Sequence, residues 1–514
     1  MQNATKMIKT AGFMVMATLL AKIFGMLRDM FVAAFYATGA SADAFFAATK
    51  LPLLFFDIVI GGVISAAFIP VFNEYLQVDG KKRALEFANK FINLILVVTG
   101  IICALGMLFP HILINFITPD SDEYTKALAI DLSTIMFPMI IFTGLAFSFV
   151  GILQSFGEFN IPAIISLVSN SVMIAYLIIF KDSFGVSGLA VAMLVGWGLQ
   201  AIVQIPSLIK FGYRYSFDYH FADDGIKKAA LLALPMLIST WVQPIGSLVN
   251  IRFASSLGTG ALSALEYANR LFIMIVGVFS FVVTNLVFPS MARANAANDQ
   301  NESILLIKSS LKAVSLVILP VMGGFIVLAS PVVRLIYERG EFDPTSTGLT
   351  AIALAYYSMG MIGFAFSEVL NKSFFAMQNS KTPMITALIS ITTNIFLSYI
   401  LSSYFGIAGL ALASAIAATL NALLNFLFMR RHRPALMSKQ DLIDFCKIVF
   451  SAIIMSVAAL VTYYYISTII HQNLLGQIIS LGTCAIIGVL IYIAMCSLFK
   501  IKEIKLILNM IKTK

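Results

Sequence analysis

Long apolar runs alternate with short polar breaks from one end of this chain to the other. The runs fall near residues 11–37, 43–72, 87–109, 127–155, 160–180, 186–210, 228–256, 261–291, 304–329, 347–376, 382–402, 407–429, 442–469 and 473–499. Each is close to or above the ~20 residues that a helix needs to cross the hydrocarbon core of a bilayer. None shows the period-two alternation of a barrel strand, so the pattern predicts about fourteen transmembrane helices and an all-α polytopic membrane protein.

The breaks carry a second pattern, which is charge. Lys6 and Lys9 precede the first run, and Lys81, Lys82, Arg83 and Lys90 follow the second. Lys210, Arg214, Lys227 and Lys228 surround the link from the sixth run to the seventh. Arg430, Arg431, Arg433 and Lys439 follow the twelfth, and Lys500, Lys502, Lys505, Lys512 and Lys514 close the chain. The intervening breaks are neutral, as at 38–42, or acidic, as at 118–124. Basic loops are retained on the cytoplasmic side, so both termini are expected inside.

An internal repeat organises the runs. Phe184-Gly185-Val186-Ser187-Gly188-Leu189-Ala190-Val191-Ala192 returns as Phe405-Gly406-Ile407-Ala408-Gly409-Leu410-Ala411-Leu412-Ala413, at an offset of 221. The same offset carries Pro162 to Pro383 and Pro110 to Pro331. Lys50-Leu51 in helix 2 and Arg270-Leu271 in helix 8 hold nearly corresponding places. An even number of helices per repeat preserves orientation, so the two six-helix repeats are parallel. The expected organisation is an N-terminal lobe over 1–215 (helices 1–6), a second lobe over 216–435 (helices 7–12), and an appendage over 436–514 holding helices 13 and 14 and a basic cytoplasmic tail. Two such lobes around a central cavity suit alternating access.

Composition narrows the class. The 514 residues are 60% hydrophobic and 11% charged, with a mean hydropathy of +0.94. Soluble domains carry about 25% charged residues, and no polar stretch is long enough for one here. The first run exceeds a signal-peptide core and lacks a clear cleavage site, so it reads as a retained helix. The net charge of +9 is accounted for by loops that set topology and meet lipid headgroups, not by a nucleic-acid surface. Cys103, Cys446, Cys484 and Cys496 lie in apolar runs without CxxC spacing, as buried small hydrophobes would. His111, His220, His432 and His471 are scattered without ligand spacing. There is no Walker loop, nucleophile triad or zinc cluster. The chain therefore reads as a non-enzyme with no metal and no organic cofactor, using a coupling ion or the membrane potential if it transports.

Against that apolar background the first two runs stand out, because they hold Lys22, Arg28, Asp29, Asp43, Lys50 and Asp57. A charge at mid-membrane costs roughly 2.5–3.5 kcal/mol even on insertion scales, so such residues face a cavity or pair inside a bundle. Lys22 and Arg28 are six residues apart, a rotation of about 240°, so either helix 1 bends near Gly25 or the two serve different surfaces. Arg28 either meets an anionic ligand, for which its planar fork suits a pyrophosphate, or pairs with Asp29. Asp43 opens helix 2, where a carboxylate complements the helix N-terminus. Asp57 either partners a helix 1 cation or is protonatable. In the second lobe, Glu266–Arg270 and Glu368–Lys372 are spaced i,i+4 as internal ion pairs, and Arg270 mirrors Lys50 through the repeat.

The motifs Gly25-Met26-Leu27-Arg28-Asp29, Asp43-Ala44-Phe45-Phe46-Ala47-Ala48-Thr49-Lys50-Leu51-Pro52 and Phe68-Ile69-Pro70 resemble those of the MurJ lipid II flippases, a branch of the MOP exporter superfamily. So do Tyr267-Ala268-Asn269-Arg270-Leu271, Tyr337-Glu338-Arg339-Gly340-Glu341-Phe342 and Lys381-Thr382-Pro383. The likeness spans the whole chain. It implies translocation of an undecaprenyl-pyrophosphate disaccharide-pentapeptide from the inner to the outer leaflet of a bacterial plasma membrane. It implies that Lys22, Arg28 and Arg270 bind the pyrophosphate. On the reading of the residues themselves, Asp29, Asp43, Asp57 and Glu266 are supporting charges. Relatives carry a further Arg in helix 2 just past KLP. Here that stretch is Leu53-Leu54-Phe55-Phe56-Asp57-Ile58, and Lys50 is the cation left to compensate. Helices 13 and 14 resemble the pair that holds the lipid tail. Expected partners are lipid II, membrane lipids and cell-wall synthesis proteins, with the chain as a monomer and no nucleic acid. The rival readings are another MOP transporter, moving a polysaccharide or teichoic precursor or a drug, and a non-transporting scaffold of a cell-wall complex.

Overall fold

The computed structural model describes residues 2–56, 64–218, 220–221, 223–240, 242–297, 299–471 and 473–501. Asp57 and the basic tail from Lys502 lie outside them. Among the described residues the secondary structure is helical throughout, without a strand. The chain divides into two compact units at Ser263/Ala264.

In the first unit, α1 (Gln2–Tyr36) and α2 (Ala40–Phe56) correspond to the first two apolar runs. A π-helical turn at 64–68 leads into α3 (Ile69–Val78), followed by α4 (Gly80–Leu108), the short α5 (Pro110–Ile117), α6 (Glu123–Met136) and α7 (Met139–Ser155). Then come α8 (Asn160–Ile179), α9 (Lys181–Ile202), α10 (Ile205–Lys210), α11 (Asp224–Thr240) and α12 (Val242–Ser255). Phe68, Phe72, Phe87 and Phe91 form one buried aromatic group here, with Phe68–Phe91 centroids 4.7 Å apart.

The second unit takes most of α13 (Ala261–Ala296), then α14 (Gln300–Val327), α15 (Ala329–Tyr337), α16 (Pro344–Ser358), α17 (Met361–Ala376), α18 (Lys381–His432), α19 (Lys439–Ile469) and α20 (Leu474–Leu498). The pair α19–α20 docks on α14 through Leu316, Leu319, Ile448, Met455 and Cys496, and the Tyr492 hydroxyl donates to the Leu316 carbonyl at 2.9 Å.

Among the described residues seven helices are long and apolar enough to cross a membrane, or nine when each of two bent pairs counts as one span. Two expected spans are broken. Helix 4 divides into α6 and α7, bent by 40° around Phe137 and Pro138, and helix 10 into α16 and α17, bent by 47° around Met359 and Gly360. Proline lacks the N–H that would continue the ladder. Apolar periodicity cannot reveal such a break, because both halves remain apolar. Three cysteines are buried as expected, but Cys446 is exposed on α19, whose outer face is apolar like the lipid around it.

The repeat is written into local geometry. Pro138 and Met359 stand at the sequence offset of 221, so the two broken helices are equivalent. Asp122 caps α6 by accepting from the Thr125 amide, and its counterpart Asp343 caps α16 from the Ser346 amide, both at 2.8 Å. Gly185 (φ 53°, ψ −144°) and Gly406 (φ 56°, ψ −130°) make the same sharp turn before the last helix of each repeat. That left-handed region is open to glycine at little cost.

Candidate functional site

Helix α1 runs unbroken past Gly25, so Lys22 and Arg28 serve different surfaces. Asp29 is buried, and the Arg28 guanidinium closes on it with Nε at 3.0 Å and Nη2 at 2.7 Å from one carboxylate oxygen. The remaining nitrogen, Nη1, donates to Asn170 Oδ1 of α8 at 3.0 Å. Arg28 has five N–H donors in a fixed fork. Three are used, and two stay available to an incoming anion. Lys22 is half-buried and forms no ion pair or hydrogen bond with the described residues.

Asp43 lies in the first turn of α2, as its sequence position predicts, but its hydrogen bonds go elsewhere. Its two oxygens accept from the Gly260 and Ser263 amides, at 2.6 and 2.7 Å. A helix start leaves amides without intrahelical partners, and Asp43 supplies them for the start of α13. Gly260 has φ +90°, and a Cβ there would sit 2.6 Å from the Thr38 carbonyl oxygen. Two neighbouring contacts fasten the same stretch. Thr259 donates to Asp122, and Arg252 donates to the Phe116 carbonyl with its guanidinium over that ring.

Lys50 is half-buried on α2 and lies 3.4 Å from Ser247 Oγ of α12. Within the second unit, Glu266 is buried and Arg270 half-buried, one turn apart on α13. Tyr357 shares a hydrogen bond with Ser414. Glu368 and Lys372 do not close to a direct ion pair, and the Lys372 ammonium lies over the face of Phe288, 5.7 Å from its centroid.

Two polar clusters near the ends of long helices were not anticipated. The link 211–223 is strapped to α4. Tyr213 and Tyr215 donate to Asn89 and Asn93, whose amides bond back to the Arg214, Ser216 and Asp218 carbonyls. Asp223 ends the strap, accepting from Lys90 at 2.8 Å, Arg83 at 3.0 Å and the Gly225 amide at 2.9 Å. Burial opposes its ionisation, but these donors outweigh burial and hold the carboxyl below its ordinary range. In the second unit Asp441 and Asp444 of α19 meet Lys308 and Lys312 of α14 at 2.9–3.2 Å, with Ser438 and Asp441 forming a capping box. Asn170, Asn89 and Asn93 were each visible as an amide in an apolar stretch, and that was the one signal available. Ser247 gave none.

Among the described residues no group of three His, Cys, Asp or Glu could hold a metal. What the geometry offers is partly buried cations in each unit, Lys22, Arg28 and Lys50 in the first and Arg270 in the second.

Comparison with known proteins identifies the family. The family model described as lipid II flippase MurJ matches residues 31–483. A Rhizobium meliloti protein described as "Probable lipid II flippase MurJ" is 32% identical over 421 residues, which is 80% of this chain and 78% of that one. A Rickettsia prowazekii protein of the same description is 29% identical, covering 94% of this chain and 96% of its own. The solved structure of a lipid II flippase MurJ in an inward closed conformation superposes with a TM-score of 0.81 at 27% identity, over 95% of this chain and 98% of that one. An inward-facing MATE multidrug transporter of the MOP superfamily matches with a TM-score of 0.69 at 15% identity, over 83% of this chain and 98% of that one, which is a likeness of fold alone.

Proposed function

The chain belongs to the lipid II flippase MurJ family, and from that premise we propose how its charged residues receive the substrate. It is a multi-span membrane transporter whose substrate is lipid II, the lipid-linked peptidoglycan precursor. Lys22, Arg28, Lys50 and Arg270 neutralise the pyrophosphate as the headgroup crosses from the inner to the outer leaflet of a bacterial plasma membrane by alternating access. The isoprenoid stays in lipid. Both termini are cytoplasmic, and the chain works as a monomer beside cell-wall synthesis proteins. A coupling ion or the membrane potential supplies the energy.

One observation supports this reading above the rest. Arg28 is 16% exposed, oriented from two sides by Asp29 and Asn170, and keeps free donors. A guanidinium so oriented meets phosphate oxygens without first losing rotamer freedom. Asp29 and Asn170 hold it ready, and Lys22 adds a positive charge that no carboxylate among the described residues pairs with. Basic rather than acidic candidates also favour an anionic substrate over the cationic drugs that a multidrug exporter would move.

The test is flipping by purified protein in liposomes, with lipid II compared against a teichoic or polysaccharide precursor on the same carrier. Lipid II transport that is lost in Lys22→Ala and Arg28→Ala supports the assignment. Equal handling of both carriers, or wild-type flipping in both variants, overturns it.

A further inference from the structure

The stretch Tyr337-Glu338-Arg339-Gly340-Glu341-Phe342 is distant in sequence from Lys22, Arg28, Lys50 and Arg270, yet it packs onto the helix that carries Arg270. Tyr267, Tyr337 and Phe342 are each at most 1% exposed. Tyr267 lies 5.1 Å from Tyr337 and 5.7 Å from Phe342, and Tyr337 and Phe342 are 5.7 Å apart, measured between ring centroids. The Tyr337 hydroxyl also donates to the Tyr267 carbonyl at 3.4 Å. The turn between α15 and α16 that delivers Phe342 is itself held. Glu338 accepts from Arg334 at 3.2 Å and from Thr347 at 2.6 Å, and Asp343 caps α16.

Tyr267 is three residues before Arg270, so the two project about 60° apart around the helix axis. Three close-packed rings fix the azimuth of Tyr267 and thereby that of Arg270. Side chains extend roughly 6 Å from a helix axis, so a rotation of 20° carries a guanidinium about 2 Å. That exceeds the tolerance of a hydrogen bond. Beyond Arg270 a second grip acts on another azimuth, where Phe272 meets Tyr357 at 6.1 Å and Phe364 at 5.8 Å.

We infer that Tyr337 and Phe342 are positioning residues for Arg270, setting the rotation of α13 so that its guanidinium meets the substrate pyrophosphate. This rests on the reading of Arg270 as a headgroup contact. It assigns to the turn between α15 and α16 a part in substrate affinity although no residue of that turn touches the substrate.

The experiment is a double-mutant cycle on lipid II affinity, using the full-length protein in nanodiscs. Phe342→Leu keeps the site apolar, and Tyr337→Phe removes only the hydroxyl. Phe342→Leu should weaken binding about tenfold in the wild-type background and have no further effect beside Arg270→Gln, as expected of two residues acting through one contact. Tyr337→Phe should weaken it less, in the same dependent way. Equal losses with and without Arg270 would show that the cluster only stabilises the fold, and would overturn the inference while leaving Arg270 in the site. Unchanged affinity in Arg270→Gln removes Arg270 from the site, and the inference falls with it. Unchanged affinity in Phe342→Leu, with a loss in Arg270→Gln, overturns the inference alone.

Discussion

Arg28 and Asp29 are sequence neighbours whose side chains close on each other, with Nη2 and Oδ1 2.7 Å apart and exposures of 16% and 8%. Adjacent helical residues normally diverge by about 100°. Here the long guanidinium folds across the helix surface to reach its neighbour, and its other edge is taken by Asn170. The pair is nearly neutral as a unit, which makes it tolerable inside a membrane.

Loss of either partner should therefore have different consequences. Arg28→Ala should abolish lipid II flipping and strand a buried carboxylate, and removing one partner of a buried pair costs about 3–5 kcal/mol. Arg28→Ala with Asp29→Asn should recover thermal stability and remain inactive. Flipping in liposomes and unfolding temperature, measured on the same preparations, check this. An active double variant would place Arg28 among structural pairs only.

Asp43 and Gly260 form a second linked pair. The Asp43 carboxylate accepts two amides, and hydrogen bonds to a charged group are worth about 1.5–3 kcal/mol. Asp43→Ala should lower stability by about that amount. Gly260→Ala should cost about 1–3 kcal/mol, because a Cβ would meet the Thr38 carbonyl oxygen and a left-handed residue is strained. Denaturant titration of both variants tests the pair, and a wild-type midpoint in Gly260→Ala would contradict the close approach.

Asp223 gives a pH dependence. Its folded carboxyl is held below the ordinary range, so the unfolded chain binds the proton more readily. The contribution is present above the unfolded carboxylate range and is lost as pH falls through the folded value. Stability should decline on acidification below about pH 4. Asp223→Asn should start lower at pH 7 and show a shallower decline. Thermal unfolding of both proteins between pH 7 and 3 decides, and parallel curves would remove Asp223 as a contributor.

Much of this molecule was legible because membrane helices announce themselves. The repeat at 184–192 and 405–413 anticipated Gly185 and Gly406 in the same turn, since glycine is retained where only glycine fits. The breaks at Pro138 and Met359 were not legible, because hydropathy averages over a helix and does not register its direction. Arg28 could be flagged by cost alone, whereas its partner Asn170 lies 142 residues away and follows only from packing. The Glu368–Lys372 spacing was correct for a pair, but spacing cannot see Phe288.

Arg270 offers the sharpest test of charge. At an effective dielectric of ~20, a close unit charge contributes about 4 kcal/mol before desolvation. A pyrophosphate is multiply anionic, so each cation removed leaves part of it uncompensated. Arg270→Gln should therefore impair transport strongly, Arg270→Glu should abolish it by adding repulsion, and Arg270→Lys should retain part by keeping the charge without the fork. The competing account is that Arg270 serves only Glu266, one turn away on α13. Under that account the exchange Glu266→Arg with Arg270→Glu keeps the pair and should restore flipping. Under the binding account the exchange moves the cation about 100° × 4, or 40° net, around the helix and one turn along it, out of reach of the same phosphate. Flipping of lipid II by the exchanged variant near the wild-type rate would take Arg270 out of the substrate site, and inactivity in a stably folded variant would keep it there.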